Sequence, residues 1–165
     1  MHAHRFDPTL LREYDIRGIA DTELTDETVI LIAQAYGTWL AARGVKHAAL
    51  GGDARLSTKR IKTAAAAGLM KAGINVTDIG LCSTPTFYWS LYRFEVNGGI
   101  MVTGSHNLKE FNGLKVAYEK STLWGNDIME IYRIIKEDRL LTADIPGTFS
   151  SADITEEYIQ MLIDK

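Results

Sequence analysis

The sequence predicts a three-layer α/β/α domain built on a mixed, mostly parallel sheet of about four main strands. Two observations carry that prediction. Short apolar runs alternate with segments of helical period, which implies a sheet covered on both faces by helices. One pair of consecutive strands brackets Asn112-Gly113, a turn dipeptide that lets the second strand fold back antiparallel beside the first.

The expected order is β-α-β-α-β-α-β-β-α. In "LTDETVILIAQAYGTWLAARG", Thr25 is a helix N-cap, and Asp26 and Glu27 suit the positive end of the helix dipole. Val29, Ile32, Ala33, Tyr36 and Leu40 form one apolar stripe, and Arg43-Gly44 reads as the stop. A strand follows over His47 to Leu50, broken by Gly51 and Gly52. "STKRIKTAAAAGLMKAG" gives a second helix, capped at Ser57, with Ile61, Ala65, Leu69 and Ala72 on one face and Gly73 at its end. "INVTDIG" is a strand. In "CSTPTFYWSLYRF", Thr84 before Pro85 reads as N-cap and N1, with Tyr88, Leu91 and Tyr92 sharing a face. "GIMVT" and "GLKVAY" are the two strands on either side of the Asn-Gly pair. Asn126 to about Lys136 is helical through Ile128, Ile131 and Ile135.

The polar stretch "LLTADIPGTFSSADI" reads as a linker, and "TEEYIQMLIDK" as the start of another helix. The expected organisation is a domain over 1–141, a linker over 142–153, and a truncated second domain from 154 to 165.

The chain has 165 residues, enough for one core. Its formal net charge of −3 offers no broad cationic footprint for nucleic acid. No apolar run approaches the length of a membrane span, and the charged N-terminus is unlike a signal peptide; His2 and His4 read as a frayed end. One cysteine, Cys82, suits a reducing cytoplasm and reads as a small buried hydrophobe. A serine hydrolase lacks its G-x-S-x-G elbow, zinc lacks ligand spacing, and Gly51-Gly52 is no dinucleotide fingerprint. Trp39, Trp89 and Trp124 read as core or domain-contact residues.

The stretch "GGIMVTGSHNLKEFNGLKVAY" sets Ser105, His106, Asn107 and Lys109 in a loop after an apolar strand, where open α/β sheets place ligands. Alternation points Lys115 away from Leu114 and Val116, so it needs solvent, a partner or a ligand. "REYDIRG" (Arg12, Tyr14, Asp15, Arg17) and "GGDARLS" (Asp53, Arg55) are two further polar clusters, each read as following an apolar run at a strand end. If the strand ends share an edge, Arg17, Arg55 and Lys115 surround Ser105, and a phosphorylated serine there would find bidentate partners. Two blander readings stay open: a solvated hairpin, and Arg17 and Arg55 paired structurally with Asp15 and Asp53.

"VTGSHNLKEFNGLKV" resembles the phosphoserine loop of the α-D-phosphohexomutases, in their bacterial phosphomannomutase/phosphoglucomutase branch. "EYDIRG" and "GGDARLS" resemble two further motifs of that family, in the same order, and the likeness runs from about Phe6 to Leu141. The resemblance implies that Ser105 carries a phosphoryl group, passes it to a hexose 1- or 6-phosphate, and takes back the other phosphate from a hexose 1,6-bisphosphate intermediate. It implies that His106, Lys115 and Arg17 take part in catalysis, and that Tyr14, Arg17, Arg55, Asn107 and Lys115 bind substrate or phosphate. It also implies Mg²⁺, held through the Ser105 phosphoryl group and by aspartates of a D-G-D-x-D-R motif absent from this chain. The expected partners are mannose and glucose phosphates and further domains of the same polypeptide, with no nucleic acid or membrane. Leu108 and Gly52 stand where the family usually has Pro and Arg. The chain alone is expected to fold without turning over. A stand-alone module that binds phosphate or sugar phosphate without catalysis is the alternative.

Overall fold

A computed structural model describes residues 7–165; His2, His4 and Phe6 lie outside them. Strand β1 spans Ile16–Ile19, helix α1 Asp26–Ala41, β2 His47–Gly52, α2 Thr58–Lys71, β3 Asn75–Leu81 and α3 Thr84–Arg93. Then come β4 (Gly98–Val102), β5 (Phe111–Tyr118), the short β6 (Ser121–Thr122), α4 (Asn126–Lys136), β7 (Phe149–Ser151) and α5 (Thr155–Ile163).

The sheet has the order β1-β5-β4-β2-β3-β7, with β6 pairing to β5. Strands β4, β2, β3 and β7 run parallel, while β5 is antiparallel to both β4 and β1. The α/β/α class and mixed sheet are as expected, and seven strands among the described residues replace about four.

Helices α1, α2 and α4 cover one face. The α1 stripe of Val29, Ile32, Ala33, Tyr36 and Leu40 is buried against Ile16, Leu50, Ile100, Leu114 and Val116. Thr25 caps α1 by accepting from Thr28 N, and Gly44 and Gly73 take positive φ just past the ends of α1 and α2. Tyr36 ties this layer to the sheet. Its buried hydroxyl donates toward Gly99 O (3.1 Å) and Ala117 O, and accepts from Gly99 N (2.9 Å). Burial drives its phenol well above the ordinary tyrosine range.

The opposite face is covered only partly, by α3, with α5 against it. Ala49, Met101 and Ala117 are buried there with Phe87 and Leu91. Trp39 is core, Trp89 stacks near Tyr158 of α5, and Trp124 is largely exposed, contrary to a core role. Cys82 is half-buried, its thiol pushed up by burial.

Several local expectations are corrected. Asn112 and Gly113 do not form the reversal; they lie inside β5. The Asn112 amide is fully buried and donates to Ser57 Oγ (2.8 Å) and Thr58 Oγ1 (3.1 Å), so tertiary hydrogen bonds override its turn preference. The α3 cap is Ser83, one residue before Thr84, and its inward residues are Phe87, Ser90 and Leu91, with Tyr92 exposed. Ser57 makes no cap hydrogen bond of its own. The stretch 142–153, expected as a linker, supplies edge strand β7. Val76, Thr77 and Asp78 of β3 pair with Phe149, Ser150 and Ser151, because β3 otherwise leaves that edge of its ladder unpaired.

Candidate active site

The loop from Thr103 to Glu110 links β4 to β5 at the carboxyl ends of β4 and β2. Gly104 opens it. Ser105 follows with φ +51°, the left-handed region that a serine seldom adopts. Ser105 N donates to Thr103 Oγ1 (2.9 Å), and Ser105 Oγ lies 3.1 Å from His106 Nδ1. Both side chains face solvent. Asn107 closes the turn, with its N donating to Gly104 O (3.0 Å) and its Nδ2 donating to the same oxygen (3.0 Å).

The underside of the loop is braced. Asp53, at the end of β2, accepts from Gly104 N (3.1 Å), Arg55 N (3.0 Å) and Thr58 Oγ1 (2.6 Å). Burial pushes its carboxyl up, but hydrogen bonds from Thr58, Arg55, Thr103 and Gly104 outweigh that and hold it below the usual carboxylate range. Arg55 turns its guanidinium beneath the loop, toward Ser105, Asn107, Leu108 and Phe111 carbonyl oxygens and Asp53. Both of its Nη groups are used in full within the protein. An anion approaching Arg55 would have to compete with four carbonyl oxygens and the Asp53 carboxylate already in place.

Arg17 and Lys115 reach the site by another route. Arg17 does not follow a strand; it lies within β1, opposite Gly113 of β5. A Cβ on Gly113 would sit 2.4 Å from Ile16 O, so glycine permits this close approach of β1. Lys115 pairs with Met101, points away from Leu114 and Val116 as alternation requires, and shares its face with Arg17. Asp15 sits between the two cations, 2.6 Å from Arg17 Nη2 and 3.9 Å from Lys115 Nζ. Arg17 Nη1 donates to Asn107 Oδ1 (3.4 Å), which links the open sheet face to the loop.

A chain of contacts thus runs from Lys115 through Asp15 and Arg17 to Asn107, in the loop that holds Ser105 and His106. Tyr14 is 58% exposed beside the turn closed by Arg12 N and Asp15 O. At Gly52, a Cβ would lie 2.7 Å from Lys62 Cδ. The Lys62 stem fills that space, its ammonium on Asp78 Oδ1 (2.5 Å) and Gly80 O (3.0 Å). Leu108 is exposed and lends only its carbonyl to the loop brace. Sequence reasoning missed the bracing roles of Thr58, Thr103 and Asn112. Their neutral side chains carry no pattern, and only tertiary geometry joins them to the loop.

No group of three histidine, cysteine, aspartate or glutamate side chains among the described residues could hold a metal ion. Among the same residues, no helix is long and apolar enough to cross a membrane.

Comparison with known proteins agrees with this layout. The family model for phosphoglucomutase/phosphomannomutase, alpha/beta/alpha domain I, matches residues 8–161. A phosphoglucomutase of Neisseria meningitidis serogroup B is 36% identical over 151 residues, covering 92% of this chain and 33% of the relative. A phosphomannomutase of Vibrio cholerae is 36% identical over 159 residues, covering 94% and 34%. A crystal structure of a phosphoglucomutase/phosphomannomutase family protein from Burkholderia thailandensis matches with a TM-score of 0.90 at 26% identity, over 97% of this chain and 36% of that one. The chain spans about a third of the length of these relatives. It belongs to the phosphoglucomutase/phosphomannomutase family, and residues 8–161 carry the family's α/β/α domain I.

Proposed function

We propose that this chain supplies the phosphoryl-carrying part of a phosphohexomutase that interconverts hexose 1-phosphates and hexose 6-phosphates of mannose, glucose or both. The observation that carries this reading is the left-handed, solvent-facing Ser105 with its Oγ 3.1 Å from His106 Nδ1, at a loop joined to Arg17 through Asn107.

In the forward half-reaction the P–Oγ bond of phosphorylated Ser105 breaks, and a P–O bond forms to the free hydroxyl of the sugar monophosphate. That hydroxyl loses its proton to a base, and the released Ser105 oxygen is left as a serine hydroxyl once protonated. The product is a hexose 1,6-bisphosphate. In the return half-reaction Ser105 Oγ attacks the other phosphate, and the sugar oxygen so freed takes up a proton. The net change is isomerisation with the enzyme phosphorylated again.

His106 exchanges the Ser105 proton in this reading, which the 3.1 Å separation of Nδ1 and Oγ supports. Arg17 and Lys115 lie where they can neutralise phosphoryl oxygens, exchanging their ion pairs with Asp15 for the ligand. Asn107 orients Arg17, and Tyr14 borders the same face. The Mg²⁺ implied by the family resemblance finds no complete ligand set among the described residues, which offer only the phosphoryl oxygens of Ser105. Its remaining ligands, and most sugar contacts, are assigned to other parts of the polypeptide. We also place the domain limit after α5, whose Tyr158 packs on Trp89 and whose Glu157 pairs with Arg93 of α3.

The test uses the full-length polypeptide with glucose or mannose 1-phosphate and a hexose 1,6-bisphosphate. Peptide mass mapping is expected to find the phosphoryl group on Ser105. Turnover undiminished in Ser105→Ala, or an adduct confined to another residue, sinks the reading. Mutase turnover by residues 1–165 alone would overturn the assignment of the missing parts.

A further inference from the structure

We propose that Arg55 is a positioning residue: its planar guanidinium holds the Ser105 loop in its strained backbone shape and does not itself contact the transferred phosphate. For its catalytic consequence the proposal rests on the phosphohexomutase reading above.

The loop has no ladder or helix of its own to satisfy its carbonyl groups. Three of them, together with the carbonyl of Phe111 at the start of β5, converge on one side chain. Arg55 Nη1 donates to Leu108 O (2.7 Å) and Phe111 O (3.0 Å), and Nη2 donates to Asn107 O (2.7 Å) and Ser105 O (3.2 Å). Nε faces Asp53 Oδ2 at 3.5 Å. The four Nη N–H groups thus meet four carbonyl oxygens, and Nε adds an ion pair with the Asp53 carboxylate. The group sits directly under Gly104, where a Cβ would lie 2.2 Å from Arg55 Nε. Any side chain at residue 104 would evict it. Glycine there makes room for the arginine.

Asp53 completes the arrangement from the other side. It takes the Gly104 amide and holds Arg55 by the residue's own backbone N–H. The peptide units on either side of Ser105 are therefore pinned: Gly104 N to Asp53, Ser105 N to Thr103 Oγ1, and Ser105 O to Arg55. A positive φ at a serine persists only where its surroundings over-determine it. The clamp is that surrounding. It leaves Oγ exposed while the backbone beneath is held, as a serine that gives up a phosphoryl group and takes one back at the same position requires.

Shape, more than charge, does this. A lysine at residue 55 would keep the positive charge but offers three donors in a tetrahedral spread, too few to meet four carbonyls and a carboxylate. Arg60 provides the control, since it also ties backbone carbonyls, those of Ala20 and Leu24, but none in the loop.

The test compares Arg55→Lys, Arg55→Gln and Arg60→Lys with the unaltered protein. Amide hydrogen exchange reports the loop without any need for activity, and the amides of α1 and α2 report whether each variant remains folded. Asn107 N and Phe111 N, which close turns inside the loop, are the diagnostic amides. Both Arg55 variants are expected to speed their exchange by about tenfold or more while α1 and α2 stay protected. Arg60→Lys should leave them unchanged. In the full-length polypeptide, phosphoryl transfer to Ser105 from a hexose 1,6-bisphosphate should slow in both Arg55 variants. Loop exchange in Arg55→Lys equal to that of the unaltered protein overturns the clamp, and so does faster loop exchange with an unchanged rate of phosphoryl transfer. Failure of the unaltered protein to accept phosphoryl at Ser105 strikes the mutase reading instead, and leaves the exchange result to decide the clamp.

Discussion

The two faces of β5 meet opposite fates within three residues. Leu114 and Val116 lie under α1 and α4, fully withdrawn from water. Lys115, between them, looks out on the other side, where α3 covers Met101 and Ala117 and then stops. A charge survives inside a strand only where the covering layer ends, because desolvation of an unpaired ammonium outweighs anything packing returns. The boundary of α3 therefore marks the boundary of the site. Arg17 on β1 lies beyond it and is likewise half exposed. Its cross-strand partner is Gly113, so no side chain stands beside it from β5 at that position.

Removing the group that the open side serves should have the largest effect. Ser105→Ala is expected to lower mutase turnover of the full-length polypeptide by about 10⁴-fold or more, as loss of a nucleophile does. Steady-state assay checks this, with unchanged thermal unfolding as its companion. Exchanging the fates of the two faces comes next. Val116→Lys buries an unpaired cation beneath α1 and should cost about 4 kcal/mol or more, enough to leave the chain largely unfolded by circular dichroism. The reverse exchange, Lys115→Met, should shift stability by only about 0.5 kcal/mol in chemical denaturation, yet lower turnover by about 10²–10³-fold. Equal stability losses in these two variants would erase the contrast.

Tyr36→Phe tests the tie between the covered face and the strands. It strands Gly99 N and should cost about 1–3 kcal/mol, read from the shift of the denaturation midpoint. The smallest effect concerns pH. Asp53 has a depressed folded value, so its contribution to loop order is present above the unfolded aspartate value of about 3.9 and is lost as pH falls through the folded value. The Gly104 amide resonance should hold steady down to pH about 4 and move only below it. Movement centred near neutral pH would assign the loop's order to another group.

Much of this was legible beforehand because it depends on periodicity. The stripes of α1 and α2, the caps of α1, and the outward Lys115 follow from spacing alone. Asn112-Gly113 was misread because a turn dipeptide and a buried strand pair look identical without the neighbours that satisfy the amide. The far edge was misread as linker because β7 has only three residues and its burial pattern is exposed throughout, so no alternation marks it. At the site, the charged residues announced themselves, but their division of labour did not. Arg17 and Arg55 occupy similar motifs, each near an aspartate. Only the structure shows that one has turned both Nη groups to backbone oxygens while the other sits half open between a carboxylate and an asparagine.

Gly113 has one more implication. Because it lets β1 lie close against β5, Arg17 hangs from a backbone tied along its length to the sheet, and Lys115 hangs from the neighbouring strand. Their stems inherit the small thermal excursions of a hydrogen-bonded ladder, not those of a surface loop. An incoming anion would find its counter-charges already at their posts, with little rearrangement left to perform on arrival.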